Sequence, residues 1–363
     1  MAITQNRDIV VIGASSGGVA ALRTLLSDLP APLGAAVFIV QHRHPEANDL
    51  LSQLLGAVAG LPVATAEEGW PIEPDRILVA PPDRHLVLAP DWIRLSRGPR
   101  ENLARPAIDV LFRSAAVAFG TRTIGVVLTG QLSDGAAGLD AIKRCGGATL
   151  VQDPGDALYP EMPAAALAGA RPDHCVPLAG LAPLIARLAG EAAGPRPEVP
   201  EELRLEVRMA TFEAMGPEVE SRISEVAALS CPDCDGPLWE IRNSRPIRFR
   251  CSIGHAFTAE AVLEQQAHEV ERAMWVAFRT LRERSALARR AAEQEKSLGR
   301  PGLARMWTER AEEVDGQARV LGRVLSGSGA PPPAEPEWSS HTDAREGSPR
   351  SPDTDATAPP DPG

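Results

Sequence analysis

Short apolar runs at residues 9–12, 36–40, 76–80, 124–129 and 148–152 are separated by Ala/Leu-rich stretches of helical character. This alternation constrains the fold more than any other feature. A strand that is apolar on nearly every residue has both faces covered, and the intervening helices are the available covers. Residues 1–188 are therefore predicted to form an α/β domain, with a mainly parallel sheet and helices on both faces. With 44% apolar residues the chain can bury a substantial core, but 4% aromatic content means building it from Ala, Leu and Val. A formal charge of −11 argues against general nucleic-acid binding or attachment to an anionic membrane. No uncharged apolar run is long enough to insert in a bilayer. MAITQNRD leads into the first strand without room for a signal peptide, so a cytoplasmic location is expected.

The first run passes directly into GASSGG, residues 13–18. A glycine turn at a strand end that opens a helix offers N–H groups and a positive dipole end to a phosphate or to an oxyanion alike. Each nucleotide reading lacks its key residue. GASSGG is not G-x-G-x-x-G, and Val19 stands where a P-loop carries lysine. The only tyrosine, Tyr159, has Pro163 where a short-chain dehydrogenase carries lysine. The serine reading gains partners instead. Gly13, Ser15 and Gly17 have G-x-S-x-G spacing, the second run ends at His42, and the fourth leads into QLSDGAAG with Asp134. These residues follow three strand ends and fall on one rim of a parallel sheet, where ligands and catalytic groups gather. Ser15 would attack an acyl carbon, His42 would take its proton, and Asp134 would fix the imidazole tautomer. The order Ser, His, Asp differs from the Ser, Asp, His order of the α/β-hydrolases. Each residue also has an ordinary alternative: a helix cap, a surface histidine, an Asp-Gly turn.

Six blocks occur in order over residues 8–188: VVIGASSGGVAALRTLL, VFIVQHRHP, ILVAPPDRHLVL, RPAIDVLFRSAA, GVVLTGQLSDGAAGL and VQDPGDALYPEMPAAAL. Together they resemble the catalytic domain of the chemotaxis protein-glutamate methylesterases of CheB type. The resemblance implies a Rossmann-like parallel sheet and a triad of Ser15, His42 and Asp134. It implies hydrolysis of γ-glutamyl methyl esters on chemoreceptor-type helical proteins, without a catalytic cofactor, and in many members deamidation of receptor glutamines. Ser16 and His44 are the competing nucleophile and base, and the blocks favour Ser15 and His42. The N–H of Ser16 is then expected at the oxyanion, with a second donor near Gln131. The family usually has Met-Gly after LTG; here Gln131 and Leu132 follow, and the bulkier Leu132 is expected to alter the loop path. His85 and Asp109 read as structural. Members usually carry an N-terminal receiver, so this chain is expected to be a stand-alone methylesterase domain with a different appendage. The Gln131–Leu132 departure and that appendage also motivate a competing expectation, a non-catalytic regulatory or scaffolding module that binds receptor helices.

Residues 189–230 read as a Pro/Glu-rich linker with a short helix. Residues 231–258 form a Cys-rich element in which Cys231, Cys234, Cys251 and His255 give C-x₂-C and C-x₃-H pairs. Thiolates and an imidazole suit tetrahedral Zn²⁺, so a zinc-ribbon-like element is predicted, with a structural ion and two strands joined at Asn243–Ser244. The remaining cysteines, Cys145 and Cys175, read as small core residues. Residues 259–326 are predicted to form a helical hairpin with an apolar seam at Leu263, Ala267, Val270, Met274, Ala277 and Leu281. The seam is expected to be self-packed, with docking of a signalling partner as the alternative. Residues 327–363 are Pro, Ser, Asp and Gly with little to bury, and are expected to be disordered.

Overall fold

The computed structural model describes residues 6–47, 50–242 and 244–327. In chain order the first domain contains β1 (Ile9–Ala14), α1 (Gly18–Asp28), β2 (Ala36–Gln41), α2 (Leu51–Gly56), β3 (Val63–Thr65), β4 (Ile77–Val79), β5 (His85–Leu88) and β6 (Ile93–Ser96). It continues with α3 (Ile108–Phe119), β7 (Thr123–Val127), α4 (Ala136–Arg144), β8 (Ala148–Gln152), α5 (Glu161–Ala170), β9 (His174–Val176) and α6 (Leu178–Ala189). Seven of these strands form one sheet in the order β3-β4-β2-β1-β7-β8-β9, and every pairing in it is parallel. Strands β5 and β6 form a separate antiparallel hairpin.

The two-residue period of β1 explains the layering. Ile9 and Val11 join a core with Leu111, Phe112, Leu139 and Met162, drawn from α3, α4 and α5. Val10 and Ile12 join the opposite core with Leu22, Leu25, Leu55 and Ile185, drawn from α1, α2 and α6. Each large aliphatic side chain buried this way contributes about 1.5–3 kcal/mol. From β1 the chain passes to β2, then to edge strand β3, fills the gap with β4, and later returns to β7 on the other side of β1. The crevice beyond β1 and β7 is therefore the topological switch point.

The stretch expected as a linker is folded. It contains α7 (Glu201–Ala210), α8 (Pro217–Ile223) and β10 (Ser224–Ser230). β10 begins a four-stranded antiparallel sheet completed by β11 (Pro237–Ile241), β12 (Arg248–Cys251) and β13 (Ala256–Thr258). Asn243, of the expected β11–β12 turn, lies outside the described residues. Buried charges tie this sheet to the first domain. Arg113 of α3 donates to both oxygens of Glu101, at 2.7 and 2.8 Å, while Arg250 of β12 donates to Glu101 and Glu206 at 3.1 and 2.9 Å. Arg248 donates to both oxygens of Glu206 at 2.7 and 3.0 Å. Arginine is rarely fully buried unless paired, and here each guanidinium meets a carboxylate.

The contacts divide the chain after Val270 into two units. α9 (Ala259–Ser297) crosses that boundary, and α10 (Pro301–Leu325) follows it. The seam expected along α9 is corrected in its first half: Leu263, Ala267, Val270 and Ala277 are exposed, and Met274 and Leu281 are half-buried. The buried positions of α9 lie further on, at Ser285 and Ala288, and those of α10 are Ala311, Val314, Asp315 and Ala318. The reason is length. The 25 residues of α10 rise about 37 Å, against about 58 Å for the 39 of α9. Antiparallel pairing, marked by Arg289–Asp315 and by Gly322 against Phe278, reaches only the later part of α9. Ala261 and Val262 at the start of α9 are buried instead in the Cys-rich core. Cys145 is buried, but Cys175 is exposed on edge strand β9, where no further strand covers it. Residues 328–363, most of the tail expected to be disordered, lie outside the described residues. Among the described residues no helix is long and apolar enough to cross a membrane.

Candidate active site

Ser15, His42 and Asp134 follow β1, β2 and β7, and the structure brings them into one hydrogen-bonded row. His42 Nδ1 lies 3.1 Å from Ser15 Oγ, and Nε2 lies 2.7 Å from Asp134 Oδ2. An ionised carboxylate only accepts, so Nε2 carries the ring proton and Nδ1 presents a lone pair to the serine hydroxyl. The His42 side chain is 21% exposed and that of Asp134 3%, so the row runs from an accessible hydroxyl to a buried charge.

The backbone holds the serine turn. Ser15 N–H donates to Thr129 O at 3.0 Å, tying the end of β1 to the end of β7, and Gln41 Nε2 donates to Ser15 O at 2.8 Å. Thr129 Oγ1 donates to Ser16 O at 3.1 Å. Gly13 matters because a Cβ there would collide with Ile108, the first residue of α3. Its absence lets the N-terminus of α3 approach the sheet edge. The N–H groups of Ile108 and Asp109 then donate to Asp134, at 2.7 and 3.1 Å.

Asp134 accepts further hydrogen bonds from Gly135 N–H at 3.1 Å and from Asn102 Nδ2 at 3.0 Å. Burial pushes its pKa up, but the His42 interaction, the Asn102 amide and the Ile108 N–H outweigh that and hold it below the usual carboxylate range. Asp109 behaves oppositely. Burial and the Asp134 charge push it up to about 7, although Gly135 and Gly138 N–H groups donate to it at 2.9 and 2.6 Å. Asn102 Nδ2 also donates to Asp109, at 2.9 Å, so one amide bridges the two carboxylates.

The other residues singled out from the sequence fall nearby. Ser16 Oγ donates to Gln131 Oε1 at 3.0 Å, bringing together the two residues expected to flank the oxyanion. Leu132 follows in the same loop. It takes φ 61°, the left-handed region natural to glycine, at a strain of about 1–2 kcal/mol. His44 accepts from Glu46 N–H at 3.3 Å and has no hydrogen bond to Ser15. His85 is fully buried, accepts from Ala107 N–H at 3.2 Å and donates to Pro99 O at 2.9 Å, and burial pushes its pKa down. It braces both ends of the loop that carries Asn102. The sequence reading missed Asn102 itself; its one local signal is that asparagine tolerates the left-handed backbone it adopts there, φ 49°.

A cleft of about 520 Å³ opens beside His42, lined among others by Arg43, Arg100, Asn102, Leu103 and Arg105. Away from the triad, the donor atoms of Cys231, Cys234, Cys251 and His255 lie within 4.8 Å of one another.

A parallel α/β sheet with a serine, a histidine and an aspartate in hydrogen-bonded sequence beyond its strand ends is the arrangement that serine-hydrolase chemistry requires. Residues 10–185 match the CheB methylesterase family. A protein-glutamate methylesterase/protein-glutamine glutaminase of Anaeromyxobacter dehalogenans is 38% identical over 190 residues, which cover 51% of this chain and 53% of that one. A Leptospira interrogans protein, given the same two activities provisionally in its name, is 39% identical over 184 residues, covering 50% of this chain and 95% of its own length. The crystal structure of the Thermotoga maritima CheB methylesterase catalytic domain is 30% identical, covers 50% of this chain and 98% of that one, and superposes with a TM-score of 0.49. The chain belongs to the CheB methylesterase family of enzymes.

Proposed function

We propose that the chain removes methyl groups from γ-glutamyl methyl esters of chemoreceptor-type helical proteins, and that the same attack on a glutamine amide releases ammonia. The observation that carries this reading is the relay from Ser15 through His42 to Asp134, together with family membership. Ser15 Oγ attacks the ester carbonyl as His42 Nδ1 takes its proton, and Asp134 stabilises the imidazolium. The N–H groups of Ser16 and Gln131 receive the oxyanion. Collapse expels methoxide, which His42 protonates to methanol, leaving a glutamyl ester on Ser15. Water, deprotonated by His42, attacks that ester and releases the glutamate side chain. The arginines of the cleft suit an acidic helical surface.

The Cys₃His cluster fits a structural Zn²⁺. A tetrahedron with Zn–S near 2.3 Å has edges of about 3.8 Å. Cys234–Cys251 Sγ, Cys231 Sγ–His255 Nδ1 and Cys251 Sγ–His255 Nδ1 are separated by 3.8, 3.7 and 3.5 Å. Bound there, zinc would cross-link the β10–β11 and β12–β13 turns and supply folding energy. Elemental analysis is expected to find about one zinc per chain, and Cys231→Ala to lose it.

The decisive assay is methanol release from a methylated chemoreceptor by the full chain and by Ser15→Ala. The proposal expects release from the first and a loss of at least about 10⁴-fold in the second. Equal rates would remove the assignment.

A further inference from the structure

Asp134 is not held by its own domain alone. Its partner Asn102 sits on the loop of residues 99–105, and that loop lies against the Cys-rich sheet. Asn102 N–H donates to Ala256 O at 2.8 Å, and Ala256 N–H donates to Arg100 O at 3.3 Å, adding the loop to β13 like a further strand. Thr258 N–H donates to Asn102 Oδ1 at 2.9 Å. With its carbonyl so engaged, the Asn102 amide can turn only its two N–H groups toward Asp134 and Asp109. Thr258 Oγ1 also lies 2.6 Å from Ser133 Oγ and accepts from Ala261 N–H at 3.2 Å, capping α9. Thr258 thus fixes the partner of Asp134 on one side and its chain neighbour on the other. Arg100 pairs with Asp233, between Cys231 and Cys234, at 3.1 Å, and Pro99 packs on Gly254, between Cys251 and His255. Both cysteine turns touch the loop that carries Asn102.

We propose that Asn102 is a positioning residue for the triad and that the Cys-rich sheet, through Thr258, is what orients it. The appendage is then a working part of the active site. Its sheet sets the direction of the amide that bridges the Asp134 and Asp109 carboxyls. This rests on the hydrolase reading above.

The test compares full-length wild type, Asn102→Ala, Asn102→Asp and Thr258→Pro, which removes the N–H that holds Asn102 Oδ1, by the rate at which a fluorophosphonate labels Ser15 from pH 5 to 9, with a thermal melt of each. Asn102→Ala is expected to label about 10- to 100-fold more slowly. Its rise with pH should move to higher pH, because an Asp134 that has lost a donor holds the imidazolium proton more tightly. Asn102→Asp, which keeps the shape but adds a third carboxylate, should be worse than Asn102→Ala. A role in packing alone predicts the reverse order and an unmoved pH profile, and either result overturns the proposal. Should Asn102→Asp fail to fold, the other two decide: slower labelling of Thr258→Pro and a shifted Asn102→Ala profile support the proposal, and labelling of folded Thr258→Pro within twofold of wild type, or an unmoved Asn102→Ala profile, overturns it. Absence of labelling in wild type would instead refute the hydrolase reading, and the positioning role with it.

Discussion

Replacing Asp134 by asparagine should abolish catalysis while leaving the protein folded, and the hydrogen bonds say why. Oδ1 receives three donors, from Asn102, Asp109 N–H and Gly135 N–H. Oδ2 receives Ile108 N–H and the imidazole. An amide NH₂ at the first position would face three donors. At the second it would face one fixed donor and a ring that can change tautomer, so it should settle there. His42 Nε2 must then accept, the ring proton moves to Nδ1, and Nδ1 can no longer take the proton of Ser15. A wrong tautomer of this kind costs about 10⁴-fold in kcat, or ~5.5 kcal/mol of transition-state stabilisation. The orphaned Ile108 N–H costs about 1–3 kcal/mol of stability. Methanol release and a urea melt measure the two effects. A folded Asp134→Asn enzyme within tenfold of wild type would refute the tautomer argument.

Asp109 is pushed up to about 7 from the ordinary 3.8, so its contribution to stability is full below pH ~4 and is lost as pH rises through about 7. Asp109→Asn should flatten the urea stability profile over that window, by at most ~4 kcal/mol, and coincident slopes would contradict this. A Cβ on Gly130 would lie 2.8 Å from Ser15 Cβ and 2.7 Å from Met162 Sδ. Gly130→Ala is therefore expected to displace the nucleophile and slow methanol release by about 10²-fold, which an unchanged kcat would rule out. Glu206→Gln leaves Arg113, Arg248 and Arg250 with Glu101 as the remaining carboxylate of their cluster. It should cost about 3–5 kcal/mol in denaturant unfolding, and a loss below about 1 kcal/mol would show that water reaches the cluster.

Ser15, His42 and Asp134 were legible in the sequence because each follows an apolar run, and a parallel sheet sends the ends of such runs to one edge. The clustering of Cys231, Cys234, Cys251 and His255 was legible because both pairs are local. Asn102 was not, because its orientation depends on Thr258, 156 positions away. Arg113 and Arg250 look like surface residues until the glutamates that neutralise them are known. β10 was hidden because Val226 and much of its strand stay exposed, leaving little period-two signal. Periodicity marked which residues of α9 share a face, but α10 is too short to cover Leu263 and Val270. Cys175 lies in an apolar context, but nothing local announces that β9 is an edge.

The account turns on a serine activated by its neighbours. Peptide mass spectrometry of the full chain after fluorophosphonate treatment tests this directly. The adduct is expected on Ser15 in wild type, and in His42→Ala its formation should be slower by about 10²-fold or more. An adduct on Ser16, or equal labelling without His42, would contradict it.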